Sequence, residues 1–371
     1  MLSISFVMIL ITKLRVTERL GLGEIILACL IGFMFLYLPS RRDNLNTLAG
    51  KYALTLLAYL FVVMMPLTII STLQGITGSH LTDLLAYGLS FIALVMMVLC
   101  RLDLNKIGIY FIYIFSVFIL LTSFLDLDFL YYAGTGVRFS AGAKNPNTLA
   151  LYCISALAIL SSVNLGFFRK VFFALLIIYI TYLTESDAAY LSLLAILLTY
   201  IFLKISSSNF LLPLLILFFL GAATFIYQNA SIIFSYLQIL WIYAGDSFRF
   251  LLIENGLSAW MKNPAITLLG NGAGSFSGFN NPYEGWEAHS TPVDFLTIGG
   301  IFGLILFYFP LFYGFIVNYK YKNLFLCSAI VGLFILSCFH FIGRNPIWWF
   351  SLLLVLNISC LVKNQPKEVL K

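Results

Sequence analysis

The sequence predicts an all-α polytopic membrane protein with about twelve transmembrane helices and one large external loop. Three observations carry that prediction. Of 371 residues, 61% are hydrophobic and 10% charged, whereas a soluble domain has roughly 45–50% apolar and about 25% charged residues. Apolar runs long enough for a hydrocarbon core of about 30 Å, which takes about 20 residues per helix, recur along the chain. Lys and Arg gather in alternate connections instead of spreading evenly. This composition excludes a secreted disulfide scaffold, a nucleic-acid binder and a cytosolic enzyme.

In order, the apolar runs are 2–12, 22–39, 52–73, 83–100, 107–125, 147–165, 171–184, 188–203, 209–227, 289–318, 324–342 and 346–362. The first reaches crossing length only if its helix continues past Lys13 and Arg15. It is not a signal peptide by pattern, because its charge follows the apolar stretch instead of preceding it. The run 171–184 is also short. Three units follow: 1–227 with transmembrane helices 1–9, 228–288 as the large external (periplasmic) loop, and 289–371 with helices 10–12 and a cytoplasmic tail. Cys29, Cys100, Cys153, Cys327, Cys338 and Cys360 all lie within apolar stretches with no CxxC pair. They read as small core residues, not as bridges or metal ligands.

Orientation follows from the basic residues. With the C-terminal tail inside, 13 of the 21 Lys and Arg are cytoplasmic against three acids, and the other face holds 8 basic and 12 acidic residues. The inner side is then about +10 and the outer about −4, as the positive-inside rule requires. Lys13, Arg15 and Arg19 are the exception. The long hydrophilic stretch falls outside, and no inner connection is long enough to hold a nucleotide-binding domain. Chemistry is therefore expected on the outer face.

Three spans begin on that face with a capping residue and Pro: Lys144-Asn145-Pro146, His289-Ser290-Thr291-Pro292 and Arg344-Asn345-Pro346. Each is a helix-start signal with a basic side chain beside it. A helix N-terminus offers unpaired N–H groups and roughly +0.5 charge, so three such ends suggest a phosphate or diphosphate site at headgroup level. The alternative is that Asn-Pro only starts helices while the basic residues snorkel to headgroups. Asp246-Ser247 followed by Phe248–Met261 reads as a loop helix ending before Asn263-Pro264. Arg249 lies in its first turn, where the helix dipole disfavours a cation; either a bound anion or a pair with Asp246 or Glu254 offsets that. His289 precedes a helix start whose positive end favours the neutral imidazole a general base needs. Asp294, in the first turn of the same helix, orients substrate, balances charge or simply complements the helix end. Leu268–Ser275 is glycine-rich but lacks the Lys-Ser/Thr and the strand of a nucleotide loop, so it reads as a tight turn open to close backbone approach by a substrate chain. Asp126-Leu127-Asp128 reads as a solvated loop end, and no His/Asp/Glu cluster has metal-ligand spacing.

At these residues the chain resembles the O-antigen ligase and O-antigen polymerase superfamily, multispan enzymes that use undecaprenyl-diphosphate-linked saccharides on the outer face of the bacterial inner membrane. The likeness covers roughly 130–317, with looser agreement at 340–350. It is carried by Arg138–Ala150 (RFSAGAKNPNTLA), by Arg249–Ser275 with Trp260, Pro264 and the GxG, and by His289–Leu304 (HSTPVDFLTIGGIFGL). The resemblance implies a GT-C-like helical membrane fold, no metal or other cofactor, Arg residues gripping a diphosphate, and a His aiding the acceptor hydroxyl. On this basis Arg249 and Arg138 are expected to hold the diphosphate, helped by Lys144 and Arg344, with Asn147 and Asp294 as further substrate contacts. His289 is expected to take the proton of the attacking hydroxyl, and Tyr283 and Trp286 to guide the saccharide. One departure stands out: many members carry Thr-x-Ser-Arg where this chain has Thr184-Glu185-Ser186-Asp187.

The expected function is polymerisation of lipid-linked repeat units into O-antigen or exopolysaccharide, with membrane lipid and a chain-length regulator protein as partners and no nucleic acid. An O-antigen ligase acting on lipid A-core shares the donor and differs in acceptor. A lipid-linked sugar transporter or flippase is the reading from another class. It would more often show mid-span charges and related halves, whereas here the charges gather at helix ends.

Overall fold

In the computed structural model the described residues are 1–11, 21–36, 46–76, 78–125, 127–133, 137–143, 145–206, 248–277 and 283–364. The expected span 209–227, Lys144, Asp126 and the Asp246-Ser247 cap lie outside them. The described chain is largely helical. Its helices are α1 (Leu2–Leu10), α2 (Leu22–Leu36), α3 (Leu48–Leu73), α4 (His80–Leu99), α5 (Leu104–Ser123), α6 (Pro146–Ser162), α7 (Phe167–Leu183) and α8 (Asp187–Ser206). After these come α9 (Phe248–Trp260), α10 (Pro264–Leu269), α11 (Thr291–Lys320), α12 (Leu324–Phe339) and α13 (Pro346–Asn364). Five of them (α3, α4, α5, α8 and α11) are long and apolar enough to cross a membrane, and several shorter ones are apolar too. This is the build of a multi-pass membrane protein. A short hairpin, β1 (Tyr131–Ala133) and β2 (Val137–Phe139), joins α5 to α6.

Local chemistry explains the helix starts. Asn145 caps α6 by accepting from the Asn147 N–H at 2.9 Å, and Asn345 caps α13 by accepting from the Ile347 N–H at 3.1 Å. Each cap is followed by Pro, whose missing N–H costs nothing at a helix start. Asp103 starts α5 in the same way, accepting from Lys106 N–H at 3.1 Å. The small first helix is not peripheral: Phe6, Ile9 and Leu10 are buried, and Ser3 Oγ donates to the Ile107 carbonyl at the start of α5. Two helices carry outward apolar faces suited to lipid, α7 with Phe168, Phe172 and Leu175 and α8 with Leu194, Leu197 and Leu198. Cys153 and Cys327 are buried as expected of core residues, but Cys29 faces outward on α2; none of the six is in a disulfide.

The described part of the large loop is folded into the bundle and does not stand apart from it. Helix α9 lies against α11, with Gly256 so close that a Cβ there would sit 2.9 Å from Val293 Cγ1. Beyond α10 the chain makes a buried turn over 270–277 that inserts between α3, α4 and α11. What admits it is a break in α11 at Gly300, whose φ of 60° interrupts the helix. A kink releases carbonyls that must find other donors, because a bilayer supplies none. Here the Asn271 N–H donates to Thr297 O at 2.7 Å, the Gly272 N–H to Ile298 O at 2.9 Å, and Tyr59 Oη to Gly299 O at 2.9 Å. The glycine-rich run therefore meets protein backbone, not a substrate chain: a Cβ on Gly272 would lie 2.4 Å from Thr68 N. His80 completes the lock, with Nδ1 2.8 Å from Ala273 O and Nε2 2.8 Å from Ile76 O.

Helix directions separate the two ends of the bundle. At one end α4, α6, α11 and α13 begin and α12 ends. The other end carries Lys51, Arg101, Lys106, Arg169, Lys170, Lys204, Lys320 and Lys322 at helix termini or their connections. Beneath the first end lies an aromatic floor. Phe295 and Phe307 have ring centroids 4.5 Å apart, Phe91 and Trp349 4.8 Å, and Phe307 and Trp349 5.3 Å. Edge-to-face packing of this kind adds stabilisation beyond burial and gives the site a rigid base.

Candidate functional site

A cavity of about 650 Å³ opens where those helix starts meet. Its wall takes Asn145, Asn147 and Thr148 from the start of α6, and Arg344, Asn345 and Pro346 from the start of α13. His289 from the approach to α11, Glu287, Asp83 and Thr82 of α4, Tyr132 of the hairpin, Glu24 of α2 and His340 complete it. Three of the residues expected from sequence, His289, Asn147 and Arg344, thus line one cavity.

The charged side chains form a chain. Arg344 Nε lies 2.8 Å from Asp83 Oδ1, and Arg344 Nη2 donates to Glu287 Oε2 at 2.8 Å. The other oxygen of Glu287, Oε1, lies 3.0 Å from His289 Nδ1. The guanidinium also lies against Phe276 of the buried turn and Phe341, 5.1 and 4.9 Å from the centroids of two rings that pack edge to face on each other. Burial alone would raise the Glu287 pKa, but the His289 hydrogen bond and the Arg344 charge outweigh it and hold the carboxyl below its ordinary range. For Arg344, burial favours loss of the proton, and the Asp83 and Glu287 carboxylates reverse that and raise its pKa. Arg344 is therefore a structural bridge, its charge answered by two acids. The expectation that it grips a diphosphate is corrected to that extent.

Two other expected cations, Arg138 and Arg249, sit on β2 and α9. The hairpin register pairs Tyr132 with Arg138, so both project from the same side of the ribbon. Arg138 Nε donates to Thr184 O at 3.0 Å, and its Nη2 to Glu185 O. It thus places a cation on the Thr184–Asp187 turn. Arg249 is exposed in the first turn of α9. Neither Arg lines the cavity, yet both act on His340, which follows the end of α12. Burial, then the Arg249 and His289 charges, with Arg138 adding to them, lower the His340 pKa to about 4, so its ring is neutral near neutrality. His289, His340 and Arg344 thus share the cavity wall, and Arg138 and Arg249 reach it only through their charge on His340.

Asp294 is not available to substrate. It is fully buried, and its Oδ1 accepts from the Ala288 N–H at 2.8 Å, folding the approach to α11 back on the helix start in the manner of a capping box. Phe248, Tyr283 and Trp286 form an aromatic trio, with both Phe248 pairings at 5.4 Å between centroids. Phe248 and Trp286 are exposed, beside Arg249 and Glu287 respectively. Among the described residues no group of three His, Cys, Asp or Glu is placed to hold a metal ion.

Sequence reasoning missed Asp83, Glu287 and His340. Asp83 carried a usable signal, since a carboxylate within a membrane helix is expensive and is kept only with a partner. Glu287 stands two residues from His289, a spacing that puts both on one side of an extended chain. His340 carried none. No protein-family model matches this chain, and no curated protein matches it.

Proposed function

We propose that the protein is a GT-C-like membrane glycosyltransferase of about twelve spans that polymerises undecaprenyl-diphosphate-linked repeat units on the outer face of a bacterial inner membrane. The observation that carries this reading is the Glu287–His289 pair in the wall of a cavity built from three helix starts, where the charges of Arg138 and Arg249 also act on His340. A carboxylate only accepts hydrogen bonds, so Nδ1 of His289 bears the proton of that contact and Nε2 keeps a lone pair. In the proposed reaction Nε2 takes the proton of an acceptor hydroxyl as its oxygen attacks the anomeric carbon. The bond from that carbon to the lipid diphosphate breaks, and the diphosphate leaves with the electron pair. Arg249 and Arg138 offset the charge that develops there, and the exposed aromatic trio gives sugar rings a surface to stack on. The outer placement rests on charge: the helix ends opposite the cavity carry the basic residues.

The test is elongation of a purified lipid-linked repeat unit by the protein in nanodiscs, read as a ladder of products. Wild-type protein is expected to build the ladder, and His289→Ala to lose it at normal protein levels. A ladder made equally well by His289→Ala would remove the base. Transfer to lipid A-core without any ladder would make the protein a ligase.

A further inference from the structure

We propose that Glu287 is a positioning residue that fixes which nitrogen of His289 holds the proton, and that Arg344, anchored by Asp83, holds Glu287 in place. Its catalytic meaning rests on the function proposed above; its geometry does not. The two oxygens of Glu287 have separate donors: Oε1 faces His289 Nδ1 at 3.0 Å, and Oε2 receives Arg344 Nη2 at 2.8 Å. Arg344 is held in turn, being tied to the buried Asp83 and packed against the edge-to-face pair Phe276 and Phe341. The carboxylate is thus held by a cation at its back and presents a pure acceptor to the imidazole. The backbone at His289 adopts φ 53°, in the left-handed region that a non-glycine residue seldom enters, which is the kind of local conformation kept where the surroundings over-determine it.

Among the described residues, the charged groups that act on Glu287 besides His289 are Arg344 before α13, Asp83 of α4 and Asp294 of α11, and His340 after α12 shares the cavity wall. Of these, Arg344 alone is bonded to Glu287, and Glu287 bridges it to His289. The chain Asp83–Arg344–Glu287–His289 therefore runs from the interior of the bundle to the cavity.

Replacing Glu287 with Gln keeps the shape and removes one acceptor. The guanidinium claims the single amide oxygen, so the amide NH₂ turns to His289 and calls for a lone pair on Nδ1. The proton then moves to Nε2, the nitrogen meant to be the base. The chain has three His residues, so ¹⁵N-histidine spectra in nanodiscs, assigned with His289→Ala, read the tautomer directly, and the His80 signals report the fold.

The wild type is expected to show His289 protonated at Nδ1 and Glu287→Gln at Nε2. Elongation by Glu287→Gln should fall on the order of 10³–10⁴-fold in kcat, as when an amide replacing an orienting carboxylate imposes the wrong tautomer, with KM within about threefold. Glu287→Asp remains acceptor-only and should keep the proton on Nδ1. A proton still on Nδ1 in Glu287→Gln, or moved to Nε2 in Glu287→Asp, overturns the proposal. An inverted tautomer in Glu287→Gln with full activity in His289→Ala would uphold the positioning and discard the base.

Discussion

Arg344→Met tests whether the guanidinium is first a structural counter-ion. The substitution keeps an apolar stem against Phe276 and Phe341 and removes the charge facing Asp83. Breaking a fully buried ion pair costs about 3–5 kcal/mol, whereas surface pairs contribute ~0–1 kcal/mol. The Asp83 side chain is 1% exposed and that of Arg344 40%, so the carboxylate is stranded in full while the lost cation was partly screened. A destabilisation of about 2–3 kcal/mol follows, or roughly 30–150-fold in the unfolding equilibrium. Asp83→Asn/Arg344→Met should recover most of it, because the amide leaves no charge behind. Glu287 loses Arg344 in both variants, so that loss cancels in the comparison. Unfolding of the detergent-solubilised protein can be followed by a thiol probe reaching Cys153, which is wholly buried in the fold. If the double variant is as unstable as Arg344→Met, or Arg344→Met is within about 0.5 kcal/mol of wild type, the reasoning fails.

Two further outcomes are expected. Gly272→Ala places a Cβ 2.4 Å from Thr68 N at a φ of 90°; left-handed strain of about 1–2 kcal/mol and the three hydrogen bonds donated by the Asn271, Gly272 and Ala273 N–H groups, at about 1 kcal/mol each, predict a loss of about 4–5 kcal/mol. Gly32→Ala, with nothing within 4 Å of its Cβ, should be neutral or gain up to ~1 kcal/mol, and equal effects of the two in thermal unfolding would contradict the packing of the turn. Acid should destabilise the fold in two stages. The His340 pKa of about 4 lies below its ordinary 6.5, so the unfolded chain takes up that proton first and stability falls between pH 6.5 and 4, by on the order of 1–3 kcal/mol. Glu287, also held low, adds a further fall below its ordinary value of 4.5. His340→Gln should flatten the upper stage; an unchanged profile would refute the assignment.

What the sequence made legible was local. Asn145-Pro146 and Asn345-Pro346 start helices because cap and proline chemistry act within one turn. The loop helix expected at Phe248–Met261 is found at Phe248–Trp260, since its stop, Asn263-Pro264, is equally local. The misreadings were all long-range. Asp83 and Asp294 both look like acids in a first helical turn, yet one pairs with a guanidinium and the other closes a backbone turn. Arg344 looked like a free cation because its acids sit far away in the chain. The glycines at 270–274 signalled close backbone approach, but the sequence could not say that the approaching backbone was α3, α4 and a kinked α11.

That interlock sets an order on biogenesis. Ala273 closes on Thr68 across 205 residues, so the cleft between α3 and α4 stays unsealed while most of the polypeptide is still being synthesised. Closure also needs the break at Gly300, which emerges later still. The first third of the chain therefore cannot finish folding as it is made, and an affinity tag spliced into 270–277 would act as a wedge that keeps it from ever doing so.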